Sequence, residues 1–358
     1  MVGNLSIDDI RKEIDRIDKE LVDLLNRRAE CAIEIGKLKE TKTESIYAPE
    51  RENQVLSKVL AQNSGPLADK TVAAVYREII SACRALEKPI SVAYLGPAGS
   101  YTHIASIQRF GDSTEFAPVD TIPDVFNMVE RKDANYGVVP VENSTEGIVS
   151  HTLDMFLLSD LRICAEIFAP ISHNLLSAGT KLDQIKRVYS MPQAIAQCRN
   201  WLRMHLPGVE VLEVSSTAKA AQLCQGFPSS AAVASSLAAR EYGLNVVAEA
   251  IEDNPHNRTR FLVVGYSKPN QSGKDKTSIV FSVPHKSGSL YKALAIFDSE
   301  NINMTMIESR PTKQMPWEYV FFIDVQGHEK DEVVQKALAK LAEQAMFVRV
   351  LGSYPEAE

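Results

Sequence analysis

The sequence has no long hydrophobic run. Nowhere among its 358 residues do about 18 apolar residues follow one another unbroken, as a membrane-crossing helix needs. The opening Met-Val-Gly-Asn-Leu-Ser has neither the basic nor the apolar region of a secretory leader. A cytoplasmic protein with no membrane partner is expected. Cysteine is also scarce: Cys31, Cys83, Cys164, Cys198 and Cys224 are scattered, odd in number and without metal-ligand spacing. Free thiols are therefore expected, not disulfides or a zinc site. Nor is there an excess of positive charge, since 39 Lys and Arg face 46 Asp and Glu, a formal net charge of −7. That balance argues against nucleic acid as the main ligand. An anionic small molecule would have to be held by local cations, not by a global field.

What is present is ordinary for a globular protein: 45% hydrophobic and 24% charged residues. The length exceeds one typical core and predicts two to four domains. Ser6-Ile7-Asp8-Asp9 reads as a capping box, after which Ile10, Ile14, Ile17, Leu21, Leu24, Ala32 and Ile35 recur at helical spacing. No proline or turn signal interrupts before Thr41, so one helix of about 50 Å is implied at about 1.5 Å per residue. A second helix should open at Pro49, and a third should run from about Leu67 to Glu87. A helix this long cannot cover its own apolar stripe, which invites a dimer. The stripe continues through Arg28 and Lys39, about 20° apart at about 100° per residue, whereas Arg11 lies about 100° from Arg28. Buried unpaired cations are costly, so Arg28 and Lys39 either await an anion in one pocket or snorkel on a charged helix. Arg11 would serve another pocket, that of a partner subunit in a dimer.

Residues 1–88 resemble the all-helical chorismate mutases through Arg11, Arg28 in Asn26-Arg27-Arg28, the run Glu34 to Lys39, and Pro49-Glu50-Arg51-Glu52. The resemblance implies an intertwined dimer that rearranges chorismate to prephenate. Arg11 of one subunit and Arg28 of the other would hold carboxylates, Lys39 would donate to the ether oxygen, Glu52 would accept from the substrate hydroxyl, and Arg51 would line the pocket. A pericyclic rearrangement needs clamping and charge stabilisation, with no nucleophile or metal. Ala48, Cys83 and Glu87 stand where some relatives have aspartate, serine and glutamine. Glu87 donates to an ether oxygen only when protonated, so mutase activity should fall as pH rises.

After Pro89 the pattern turns strand-like, with Ser91 to Leu95 running into Gly96-Pro97-Ala98-Gly99-Ser100-Tyr101-Thr102-His103. This is not a GxGxxG fingerprint, which disfavours a dinucleotide. A strand, a glycine turn and a hydroxyl-rich helix start read as an anion nest or simply as a helix cap. Similar junctions recur at Glu142-Asn143-Ser144, Ser190-Met191-Pro192-Gln193 and Ser215-Ser216-Thr217. Alternating strands and helices suggest an open α/β architecture with ligands at the strands' carboxyl ends. Asn257-Arg258-Thr259-Arg260-Phe261 then places a hydroxyl beside a cation at a strand's mouth.

Residues 90–267 resemble prephenate dehydratase through Gly96 to His103, Val141 to Ser144, His173-Asn174-Leu175 and Thr259-Arg260-Phe261 with Asn257. Two α/β lobes of the periplasmic-binding-protein type are implied, the chain crossing near Pro170 and returning between Asp253 and Arg260. Prephenate must lose carbon dioxide and its ring hydroxyl together, and hydroxide leaves poorly without a donor. The resemblance makes Thr259 that residue, with Glu142 or His173 behind it, and Arg260 the carboxylate clamp. Ser100, Thr102, Asn143, Ser144, His173, Gln193, Ser216, Thr217, Asn257 and Phe261 complete the expected site.

Lys268 to Lys276 reads as a linker by composition. Beyond it a βαββαβ order is ferredoxin-like. Residues 277–354 resemble an ACT regulatory domain, with Glu308-Ser309-Arg310-Pro311 matching a phenylalanine-binding motif and Gly288 and Leu290 in a companion loop. L-phenylalanine is the effector this implies, although a purely dimerising domain is the other reading. The whole resembles a bifunctional chorismate mutase and prephenate dehydratase that works without metal or organic cofactor as a dimer or dimer of dimers. A dehydratase with a weakened mutase module and a non-catalytic amino-acid sensor are the alternatives.

Overall fold

A computed structural model describes residues 6–40, 47–311 and 319–357. The chain divides into two compact units, Met1–Ile90 with Phe110–Glu115, and Ser91–Arg109 with Phe116–Glu358. Among the described residues, no helix is long and apolar enough to cross a membrane.

The first unit holds α1 (Ile7–Glu40), α2 (Pro49–Gln62) and α3 (Asp69–Glu87). The capping box forms as read: Asp9 N–H donates to Ser6 Oγ at 3.2 Å, while the Ser6 N–H and hydroxyl both donate to Asp9 Oδ2. Pro49 occupies the first turn of α2, where its missing N–H costs nothing. Gly36 lets α1 and α3 approach closely, since a Cβ there would lie 3.2 Å from Glu87 Cβ. The stripe of α1 stays open within one protomer, with Ile10, Ile14, Ile17, Leu21, Leu24 and Ile35 all exposed.

The second unit begins with β1 (Ser91–Leu95), α4 (Tyr101–Phe110), β2 (Glu115–Val119), α5 (Ile122–Glu130), β3 (Tyr136–Asn143), β4 (Gly147–Ile148), α6 (Ser150–Leu158) and β5 (Arg162–Pro170). The chain then enters a second lobe: β6 (Asn174–Ser177), β7 (Arg187–Ser190), α7 (Pro192–Gln197), α8 (Arg199–His205), β8 (Glu210–Glu213), α9 (Thr217–Leu223), β9 (Ser230–Ala234), α10 (Ser236–Tyr242) and β10 (Asn245–Ala248). It returns as β11 (Arg258–Gly265). The first lobe's sheet runs β2-β1-β3-β11-β5 with β4 beside β3, and the second runs β10-β6-β9-β7-β8. β11 is antiparallel to both β3 and β5, so the returning strand lies in the sheet's interior and is buried along nearly its whole length.

The C-terminal module follows the expected order: β12 (Asp275–Ser282), α11 (Ser289–Ser299), β13 (Met304–Pro311), β14 (Tyr319–Gln326), α12 (Glu332–Gln344) and β15 (Phe347–Pro355). Its sheet runs β13-β14-β12-β15. The linker read from composition is too long at its end, because Asp275 and Lys276 already belong to β12 and are buried. The β12–β15 sheet does not hang free. Val280, Phe322, Leu351 and Tyr354 share one apolar core with Val141, Ile163, Leu262 and Val264 of the first lobe. Gly352 permits the contact, since a Cβ there would stand 2.2 Å from the Ile163 carbonyl oxygen.

Candidate active sites

β11 and β3 place Thr259 opposite Asn143. Asn143 Nδ2 donates to Thr259 Oγ1 at 2.7 Å and to Asn257 Oδ1 at 3.0 Å. The orientation of this amide is fixed from its other end, where Oδ1 accepts the N–H groups of Thr145 at 2.9 Å and Glu146 at 3.0 Å. An amide nitrogen only donates. Thr259 Oγ1 is therefore the acceptor towards Asn143, and its own hydrogen points elsewhere.

The chain of polar groups continues into the second lobe. Asn257 Nδ2 donates to Gln197 Oε1 at 2.9 Å, and the same oxygen lies 3.0 Å from His173 Nε2. Gln197 Nε2 donates to the Glu146 carboxylate at 3.4 Å, which requires this amide orientation. His173 Nδ1 meets the Tyr101 hydroxyl at 2.9 Å. Burial lowers the pKa of His173, the Gln197 and Glu252 contacts opposing that only in part. A buried neutral imidazole is a poor reservoir of protons. Of the two residues expected behind Thr259, neither is its hydrogen-bond partner: Asn143 takes that place. Gln197 and Glu146 were absent from the sequence reading, where only the nearness of Gln197 to the Pro192-Gln193 junction hinted at them, and Tyr101 stood there only as a member of the Gly96 to His103 run.

The remaining expected groups divide. Ser144 Oγ donates to Asn257 Oδ1 and accepts the Arg258 N–H, bracing the strand's mouth. Ser216 caps α9 by accepting the Lys219 N–H at 3.0 Å, Thr217 is buried, and Gln193 is exposed. At the start of α4, Ser100 Oγ accepts the His103 N–H, and the Gly99 N–H donates to His103 Nδ1. Part of the expected anion nest is thus satisfied within the loop, next to the buried Thr102. Phe261 is a buried side chain of β11.

Arg260 is a correction. Successive strand residues face opposite sides of a sheet, and Thr259 takes the polar side. Arg260 turns to the other and donates from Nε to Glu166 at 2.8 Å, pairs through Nη1 with Asp324 at 2.6 Å, and donates from Nη2 to the Tyr354 hydroxyl at 3.0 Å. Every nitrogen of the guanidinium is engaged, so it does not clamp a carboxylate beside Thr259.

In the helical unit, Arg28 Nη1 approaches Cys83 Sγ at 2.9 Å, joining α1 to α3. Glu87 is half-buried one turn further along α3, at the Gly36 approach. Glu52 is ion-paired with the buried Arg84, whose other nitrogen donates to the Phe110 carbonyl and whose charge faces the Tyr47 and Phe110 rings. The sequence reading missed Arg84. Arg51 is exposed. Arg11 is exposed as well, with Asp8 at 3.6 Å, and among the described residues it is not brought to Arg28 within the protomer. The Lys39 side chain lies outside the described residues.

In the C-terminal module, a cavity of about 760 Å³ is lined by Ser289, Leu290, Lys286, Phe347, Pro311 and Asp154 among others. Gly288 caps α11 with a φ of 80°, a left-handed conformation that favours glycine. Exposure alternates along β13, so Glu308 and Arg310 share one face and Ser309 takes the other. Arg310 reaches α6, donating to Ser150 Oγ at 2.9 Å and Asp154 at 3.0 Å.

Comparisons with known proteins agree on all three modules. Residues 10–88 match the type II chorismate mutase family, residues 92–269 the prephenate dehydratase family, and residues 277–343 the ACT domain family. A bifunctional chorismate mutase/prephenate dehydratase of Aquifex aeolicus is 50% identical over 98% of each chain. One of Stutzerimonas stutzeri is 46% identical over 97% of each chain. The solved structure of an Arthrobacter aurescens prephenate dehydratase in complex with L-Phe superposes with a TM-score of 0.69 at 38% identity, covering 75% of this chain and 90% of that one. With a mutase module, a two-lobed dehydratase and an ACT domain in one chain, the protein belongs to the bifunctional chorismate mutase/prephenate dehydratase family.

Proposed function

We propose that dehydration of prephenate to phenylpyruvate takes place where the two lobes meet, with Thr259 donating a hydrogen bond to the departing ring hydroxyl. As the carbon–carboxylate bond breaks, its electron pair enters the ring, the ring carbon–oxygen bond cleaves, and carbon dioxide and hydroxide leave an aromatic product, the hydroxide taking its proton from solvent to become water. The observation that carries this reading is the 2.7 Å hydrogen bond from Asn143 to Thr259 Oγ1. It makes Thr259 an acceptor on one side and so a directed donor on the other. The donor acts where charge develops on the leaving oxygen, and it is in place before the reaction. With Arg260 engaged elsewhere, the helix-start amides near Ser100 to Thr102 and Ser216 to Thr217 are the groups suited to the substrate's carboxylates. Thr259→Ala should abolish phenylpyruvate formation while chorismate consumption continues, and loss of both activities in a folded variant would refute a separate dehydratase site.

The rearrangement of chorismate to prephenate belongs to the helical unit. Arg28 and Lys39 hold and polarise the substrate, Glu52 is held by Arg84 to accept from its hydroxyl, and Glu87 faces the ether oxygen. Arg11 completes the pocket of a second subunit. The exposed stripe of α1 supports this, because six large apolar side chains open to water on one face are better buried against another copy. In the C-terminal module, the cavity beside Leu290 is large enough for an amino acid, and L-phenylalanine is its proposed occupant and feedback inhibitor.

A further inference from the structure

The residue that follows Thr259 is held by the regulatory module. Arg260 on β11 touches Glu166 on the neighbouring β5, but its other two nitrogens reach Asp324 on β14 and Tyr354 on β15. Around it the polar groups close on one another. Lys276 Nζ pairs with both Glu166 oxygens at 2.9 and 3.0 Å, and Ser278 Oγ donates to Asp324 Oδ1 at 2.5 Å and meets the Tyr354 hydroxyl at 2.7 Å. Two cations and two carboxylates balance, and all four side chains are buried. Burial works against the Arg260 charge, yet Tyr354, Asp324 and Glu166 outweigh it and its pKa is raised.

The surroundings of this cluster are apolar, with Val141, Ile163 and Leu262 on one sheet and Val280, Phe322 and Leu351 on the other. Apolar contacts tolerate sliding, whereas a planar guanidinium hydrogen-bonded to two partners at fixed directions and ion-paired with a third does not. A buried ion cluster adds little net stability over an apolar core of the same volume, so its geometric effect is the more informative one. Its location matters too. Opposite Arg260 and Phe261, β3 carries one extra residue, Val141, so its pairing with β11 slips there, and such a bulge re-aims the side chains beside it on β3, Asn143 among them. The anchored residue thus lies across from the bulge and beside the Thr259–Asn143 pair, and it holds the strand that carries Thr259.

We propose that Arg260 is a positioning residue for the dehydratase reaction and the point at which the C-terminal module acts on it: a shift of β14 or β15 moves Arg260, and with it Thr259 against Asn143. This rests on the reading of Thr259 as the dehydratase residue and of the C-terminal module as the phenylalanine sensor.

The test uses full-length Asp324→Asn and Arg260→Lys, with prephenate and chorismate turnover measured in the same preparations and L-phenylalanine binding followed by calorimetry. Positioning predicts that dehydratase kcat falls about tenfold or more while KM stays within about twofold and mutase turnover is kept. Bound L-phenylalanine should then inhibit the remaining activity at most about twofold although calorimetry still shows it bound. A rise of KM with kcat retained would make Arg260 a substrate clamp, and unchanged kinetics with only a lower unfolding midpoint would make the cluster purely structural; either overturns the proposal. Should the charged variants fail to fold, Tyr354→Phe keeps all four charges and removes one hydroxyl. It should lower kcat and weaken inhibition, and wild-type behaviour there would also overturn the proposal. Phenylpyruvate formation by Thr259→Ala would remove the reading of the site itself, and this proposal with it.

Discussion

Asn143→Asp is the substitution that separates a directed Thr259 from a merely nearby one. The change is isosteric, but it replaces the nitrogen 2.7 Å from Thr259 Oγ1 with an oxygen that only accepts. Two acceptors do not share a hydrogen bond, so the Thr259 hydrogen turns to the new carboxylate and away from the leaving group. Losing one preorganised donor at a developing oxyanion costs about 10²–10³ in kcat, or roughly 3–4 kcal/mol. The aspartate should reach the upper end of that range, because it captures the hydrogen actively and adds negative charge where the leaving oxygen gains it. Asn143→Ala should lose less, since an unpartnered Thr259 still samples the productive direction. The order of dehydratase kcat is then wild type, alanine, aspartate. The pH profile adds a signature. Partial burial beside Asn257 Oδ1 favours the neutral carboxyl while the Thr145 and Glu146 N–H groups favour the carboxylate, and once protonated it donates to Thr259 as the amide did. Activity of the aspartate variant should therefore recover as pH falls, while the alanine variant shows no such recovery. Phenylpyruvate formation across pH, with chorismate consumption as the control for folding, measures both. An aspartate variant as active as the alanine variant at neutral pH would refute the directional argument.

Glu166→Gln leaves Arg260 and Lys276 buried with one carboxylate fewer, and removing one partner of such a pair destabilises by about 3–5 kcal/mol; urea unfolding should show this as a lower midpoint. His173, whose pKa is lowered by burial from its ordinary 6.5, stabilises the fold above that value. As pH falls through it the unfolded chain binds the proton first, so stability declines by at most about 1.4 kcal/mol per pH unit from this group. Unfolding midpoints at pH 7.5 and 5.5 should differ less in His173→Asn than in the wild type. Glu87→Gln replaces a carboxylate oxygen with an N–H donor, so mutase turnover should rise; a fall in turnover would remove Glu87 from the ether oxygen.

Local rules carried much of the fold. The capping box, Pro49 and the 3.6-residue recurrence from Ile10 to Ile35 are properties of neighbouring residues, and the helices begin and end close to where those signals stand. The βαββαβ order and the crossing near Pro170 were legible for the same reason. What stayed hidden depended on residues far apart in sequence. Gln197 contacts Asn257 across 60 positions, Arg260 contacts Tyr354 across 94, and Arg84 reaches Phe110 across 26. No spacing rule announces such pairs. The linker ending at Lys276 was misjudged because two charged residues look solvated until their buried counter-ions are known.

Arg260 shows how far a local rule reaches. A hydroxyl and a guanidinium adjacent in sequence suggest one shared pocket only if the backbone there is a loop or helix start. On a strand the same adjacency means opposite faces, and β-parity alone would have separated Thr259 from Arg260. Since β11 lies inside its sheet with a second sheet stacked on one side, one face of the strand is left for chemistry and the other is given to the regulatory module. On the proposal that the C-terminal module acts through Arg260, a single strand two faces wide joins effector to leaving group. It requires no long pathway of intermediates, only that the anchor and the donor be consecutive residues.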